Sequence, residues 1–103
     1  MTELRKQWDK VHDSAAFNSR QDFEFSNIPE GERPHPNVTI CACIKVASLM
    51  KSGPGSLEPH SDFGILYLCP VDDLGDLTDQ DIAYLIRCGV HYDSQSDSLA
   101  MFN

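Results

Sequence analysis

Leu4, Trp8, Val11 and Ala15 recur at spacings of four, three and four, the interval at which side chains share one face of a helix. An amphipathic helix is expected there, beginning after Thr2, whose hydroxyl suits a cap. The period then changes. Asp22-Phe23-Glu24-Phe25-Ser26 alternates polar and apolar positions as a half-buried strand does, and Ile28-Pro29-Glu30-Gly31 ends it with turn residues. Glu32-Arg33-Pro34-His35-Pro36 reads as a linker, since each proline biases its predecessor away from the helical region.

From Val38 to Met50 the pattern supports two readings. As a strand, Val38, Ile40, Ala42, Ile44 and Val46 alternate with Thr39, Cys41, Cys43 and Lys45, and the β-branched content favours it. As a helix, Pro36 falls near the first turn, Lys51 near the negative end of the dipole, and Gly53 at a natural stop. A run of about thirteen residues exceeds the usual strand, so the helix is preferred. Nearly every side of it is apolar, which predicts the central, most buried element.

Gly53-Pro54-Gly55-Ser56 breaks the chain. Phe63 to Pro70 follows as a continuous apolar run of strand length, expected at the centre of the sheet. Thr78-Asp79-Gln80-Asp81 sets a capping acceptor and an acidic first turn ahead of Ile82, Leu85 and Ile86, and Gly89 ends that helix. Val90-His91-Tyr92 and Ser98-Leu99-Ala100-Met101-Phe102 flank a polar run and predict a C-terminal hairpin. Together these elements predict one small α+β domain over residues 1–103. It should hold an antiparallel sheet of three to four strands, with about three helices packed mainly on one face.

A length of 103 residues allows a real core in one domain, and 41% apolar with 23% charged residues is ordinary for a soluble protein that folds alone or as a small oligomer such as a homodimer. No apolar run approaches the ~20 residues of a membrane span, and the first eight residues lack the apolar stretch of a secretory signal. A cytoplasmic location is therefore expected. There the four cysteines are reduced thiols rather than a disulfide framework, and Asn37-Val38-Thr39 is a chance match to a glycosylation acceptor.

Four constellations could carry chemistry. Cys41-x-Cys43 with Cys88-x-x-His91 offers zinc-type ligands. Yet residues i and i+2 of a helix point about 200° apart, so Cys41 and Cys43 share an ion only if that segment is extended. The plainer reading is a set of small buried hydrophobes. His60-Ser61-Asp62-Phe63-Gly64, leading into an apolar strand, is similar to the iron-binding segment of the 2-oxoglutarate-dependent oxygenases. The resemblance implies iron ligation by His60 and Asp62 with a later histidine, and His91 is the only one available. No arginine follows His91 to hold the carboxylate of the co-substrate. The acidic run Asp72, Asp73, Asp76, Asp79 and Asp81 does not follow the ligand order of an EF-hand, and it suits a solvated loop leading to a helix start. Nucleophilic catalysis by cysteine is disfavoured by apolar surroundings, which raise a thiol's pKa. The expectation is a protein that is not an enzyme and needs no cofactor.

Charge changes the picture most. Residues 1–53 hold seven acidic and seven basic side chains, and residues 54–103 hold nine acidic ones against a single Arg87, so the net charge of −8 sits in the second half. Direct nucleic-acid binding needs a concentrated basic surface and is not expected. An acidic surface can instead compete for a basic groove on another protein, with carboxylates standing in for phosphates. Small inhibitors of phages and mobile elements use this mode. The expected contact residues are Asp72, Asp73 and Asp76 with Asp93 and Asp97 of the hairpin; the bland alternative is that the charge only keeps the domain soluble. A small metal-binding protein or metal-dependent enzyme using His60, Asp62 and His91, or the set Cys41, Cys43, Cys88 and His91, is the rival from another class.

Overall fold

Helix α1 runs from Glu3 to His12 and buries Trp8 and Val11, the middle of the apolar stripe. The computed structural model describes residues 3–14 and 17–102; Thr2 and Ala15, at the two ends of the expected helix, lie outside the described residues. Gln7 ties α1 to a distant part of the chain. Its amide donates to the Leu77 carbonyl at 2.9 Å and to Asp79 Oδ1 at 3.0 Å.

The strand expected at 22–26 does not form, and two 3₁₀ turns, Arg20–Phe23 and Phe25–Asn27, take its place. The cause is local. The Asp22 carboxylate accepts from the backbone N–H groups of Asn18 and Ser19, both at 2.9 Å, which commits the chain to a turn before any strand can pair. The alternating phenylalanines are covered by other means. Phe23 meets the rings of Phe17 and His12 at 4.8 and 5.1 Å between centroids, and the Arg33 guanidinium lies 5.4 Å from the centre of Phe25.

Helix α2 spans Val38–Leu49, as the length of the run indicated. Its cap is Asn37, whose side-chain oxygen accepts from the N–H of Thr39 at 2.9 Å and of Ile40 at 3.2 Å. The Asn-x-Thr match is thus occupied by capping. Gly53, at φ +96°, turns the chain away in a region that favours glycine. The expectation that it is the most buried element is corrected: of its twelve residues only Cys41, Ala42 and Val46 are buried, while Ile40 and Ile44 are 40% and 47% exposed. Ile44 borders a shallow space lined by Glu32, Pro34 and Tyr84, so the outward stripe is only partly covered although it is apolar.

Helix α3, Asp79–Arg87, carries the expected capping box: Thr78 Oγ1 accepts from the Asp81 N–H at 3.1 Å and Asp81 accepts from the Thr78 N–H at 3.0 Å. Lys45 of α2 reaches Asp81 Oδ1 at 2.8 Å and sits 5.3 Å from the centre of the Tyr84 ring, linking α2 to α3.

Strands β1 (His60–Asp62), β2 (Ile65–Pro70), β3 (Val90–Asp93) and β4 (Ser98–Phe102) form one antiparallel sheet in the order β1-β2-β4-β3. The interior place of β2 and the β3–β4 hairpin agree with the sequence. β1, in the polar segment ahead of the apolar run, is a short exposed edge strand. A bulge at Leu68 separates the Tyr67–Ala100 and Cys69–Leu99 pairs, so Leu68 and Cys69 both turn inward. Alternation then gives the sheet two faces. Leu68, Cys69, Val90, Leu99 and Met101 join Trp8, Val46, Ile82 and Leu85 in one core under the helices. His60, Ile65, Tyr67, His91, Ala100 and Phe102 occupy the other face, which no described helix covers. No helix among the described residues is long and apolar enough to cross a membrane.

Candidate functional site

Two acidic segments far apart in sequence meet at one end of the sheet. The N–H of Val71, just past β2, donates to the Asp97 carbonyl in the β3–β4 turn at 2.9 Å. That bond sets the loop carrying Asp72, Asp73 and Asp76 beside the turn carrying Asp93 and Asp97. The five carboxylates are not equivalent. Asp93 accepts from Ser96 Oγ at 2.6 Å and from the Gln95 N–H at 3.3 Å, shaping its own turn. Asp97, at φ +54°, accepts from the Tyr92 hydroxyl. Asp73 accepts from Ser52 Oγ at 2.9 and 2.8 Å. Asp72 and Asp76 are exposed and make no side-chain hydrogen bond or ion pair among the described residues. Of the five residues read from the sequence, these two are the free charges.

Asp79 and Asp81 belong to the helices instead. Burial alone would raise the Asp81 carboxyl, but the hydrogen bond and charge of Lys45, with the bonds from Thr78, outweigh it and hold the group below its ordinary value.

The open face of the sheet carries aromatic rings. His60 stacks on Tyr67 at 5.1 Å and 23°, and His91 on Phe102 at 4.8 Å and 21°. Ala100, buried yet outside the core, lies between Tyr67 and His91 in the pairing, where the larger neighbours close over it. Beside this face, where β1 stops short of the bulge, a cleft of about 270 Å³ opens between Glu58, His60, Tyr67 and Asp73. Sequence reasoning passed over Glu58 and Tyr67. The one available signal was that Tyr67 has the opposite parity to Leu66 and Leu68 within the apolar run.

The candidate metal ligands are dispersed. His60 and Asp62 share one face of β1, but His91 lies on β3 at the opposite edge, three strand spacings or roughly 14 Å away. Cys41 and Cys88 are buried near one another, whereas Cys43 sits on another side of α2 and His91 on the open face. Among the described residues no three His, Cys, Asp or Glu side chains are grouped to hold a metal ion. The thiols themselves are blunted. Burial, then the nearby Cys41, pushes Cys88 up to about 12; burial, then the Asp73 charge, pushes Cys69 up to about 11; and burial raises Cys43.

Comparison of the chain with protein-family models, with curated proteins and with solved structures finds no match.

Proposed function

We propose that this protein acts without catalysis, by binding another protein through a basic surface on that partner, as a small inhibitor that occupies a nucleic-acid-binding site. The observation that carries the reading is the Val71–Asp97 hydrogen bond, which joins two acidic segments into one end of the molecule and leaves Asp72 and Asp76 unpaired. Sixteen acidic residues against eight basic ones give the long-range attraction, and this end gives it a place to act. The four free cysteines suit a reducing compartment such as the cytoplasm.

The test is kinetic. Partners captured from the native host on the wild-type chain are measured against a variant with Asp72→Asn and Asp76→Asn. The association rate should fall in the variant, and the wild-type rate should fall as salt is raised, since exposed charges are screened over ~8–10 Å. Equal association rates at low salt would leave the acidic end as a solubilising surface only.

A further inference from the structure

The cleft beside the acidic end owes its existence to the shortness of β1. The last residue of β2 with a β1 partner is Tyr67, opposite His60, so Leu68 to Pro70 have no strand along that edge. The bulge takes Leu68 and Cys69 inward as the floor of the space. Two loops frame it and are held to each other: the Lys51 N–H donates to the Asp73 carbonyl at 2.7 Å, and Met50 bridges to Leu74. The opening is therefore built into the sheet rather than left by a wandering loop.

Size and chemistry narrow what it takes. At about 270 Å³ the cleft lies just under the range of roughly 300–1,000 Å³ for small-molecule pockets, which suits one long side chain better than a cofactor. One wall is the His60–Tyr67 stack, two aromatic planes tilted by only 23°. Carboxylates stand on either side. Glu58 makes no side-chain hydrogen bond or ion pair among the described residues, and Asp73 uses only part of its acceptor capacity on the Ser52 hydroxyl. No lysine or arginine lines the cleft. The only Lys or Arg of residues 54–103, Arg87, is turned away, donating to the Asp22 carbonyl at 3.3 Å and lying 5.0 Å from the centre of Phe17. An ammonium would meet the carboxylates and rings as a point charge, whereas a planar guanidinium can lie flat against the rings and fork to an acid at the same time.

We propose that this cleft receives an arginine side chain of the partner, its guanidinium against the His60 and Tyr67 rings and paired with Glu58 and Asp73. The inference rests on the reading of the acidic end as the surface for a basic partner, and adds to it a single anchoring pocket. Interfaces commonly concentrate their affinity in such anchors, with charged rims governing encounter. The raised Cys69 thiol on the floor agrees with an anionic site, since the Asp73 charge contributes to it after burial.

The experiment titrates the full chain with N-acetyl-Gly-Arg-Gly-amide and with its citrulline and lysine counterparts, following backbone amide signals by NMR. The arginine peptide should shift Glu58, Tyr67, Cys69 and Asp73 saturably, and the uncharged citrulline peptide should bind about tenfold more weakly. Glu58→Gln, an exposed change that leaves the fold alone, should weaken the arginine peptide several-fold, and Tyr67→Leu should do the same while keeping bulk at the half-buried site. Shifts spread over Asp72, Asp76 and Asp97 without saturation at the cleft would overturn the proposal. So would equal binding of the lysine peptide or of the Glu58→Gln variant. Those outcomes leave the acidic end untouched, because its own test is the association rate of the Asp72 and Asp76 variant; the cleft should instead govern how fast the captured partner leaves.

Discussion

The two faces of the sheet share one backbone ladder and differ in what lies over them. On the inner face Leu99 and Leu68 are 0% and 1% exposed beneath three helices, whereas on the outer face Phe102 is 72% exposed and at the adjoining turn Phe63 is 98% exposed. Both faces are rich in large side chains. Composition is thus a poor guide to which of them holds the fold together, and the layer above each is what decides. The outer face is also graded along its length. Phe63, Ile65 and Phe102 gather at one end, and Asp93, Asp97 and the Asp72 loop at the other, so a partner crossing the face would meet rings and then charges.

The largest test of this contrast is truncation on the inner face. Leu99→Ala and Leu68→Ala each remove a fully buried side chain and should cost ~2–5 kcal/mol in urea or thermal unfolding. Leu66 also points inward but is only half-buried at the margin of the core, so Leu66→Ala should cost less than either. Losses below about 1 kcal/mol at both Leu68 and Leu99 would remove the distinction between the faces.

What the sequence disclosed follows the same division. α1, α3 and the β3–β4 hairpin were legible because local chemistry and core packing agree there: Thr78 and Asp81 form the cap that starts α3, and Ile82, Leu85 and Ile86 fill its inner stripe. The region 22–26 misled because two phenylalanines spaced by one residue look like a strand, whereas the Asp22 carboxylate had already closed a turn. β1 was invisible, since three exposed residues carry no hydrophobic alternation and pair only because β2 is there. For α2, an apolar surround suggested burial, but the core beneath it takes in only the stripe of Cys41, Ala42 and Val46. Of the candidate site, the acidic residues could be named from the sequence. Their meeting through the Val71–Asp97 bond depends on sheet register, and so does the cleft at the end of β1.

A second test concerns strain rather than packing. The β1–β2 turn places Phe63 at φ +50° and Gly64 at φ +78°, the pair of left-handed conformations that a two-residue hairpin favours, and a bulky residue is costly at the first of them. Phe63 is almost fully exposed, so it returns little through packing. Phe63→Asn should raise stability by about 1 kcal/mol. A drop in stability instead would mean that the Phe63 ring is covered in solution, giving the outer face a layer of its own.

The helix cover of the inner face titrates. Because the Asp81 carboxyl is held below its ordinary value in the folded chain, its contribution is fully present above the unfolded carboxylate pKa of about 3.9 and is lost as pH falls toward the folded value. Asp81→Asn should therefore lower the unfolding free energy at pH 7, by about 0.5–1 kcal/mol for a partly exposed cap and ion pair. The gap between wild type and variant should close below about pH 4. A gap that persists unchanged to pH 2 would place the effect in packing instead of charge.

The smallest expected effect is the sharpest probe of the outer face. Phe102→Thr keeps a residue suited to a strand and removes the exposed Phe102 ring, and with it the stack on His91. With the side chain already mostly in water, the cost should be about 0.5 kcal/mol or less, several times smaller than at Leu99, three residues earlier on β4 but on the other face. Unfolding at several protein concentrations makes the comparison decisive. If Phe102→Thr costs more than about 1.5 kcal/mol, and that cost grows with concentration, the outer face is covered by a second copy of the chain. The cleft would then adjoin a homodimer interface, and an arginine reaching it would have to compete with self-association. A small cost independent of concentration leaves the face open to a partner, its rings and carboxylates free for contact.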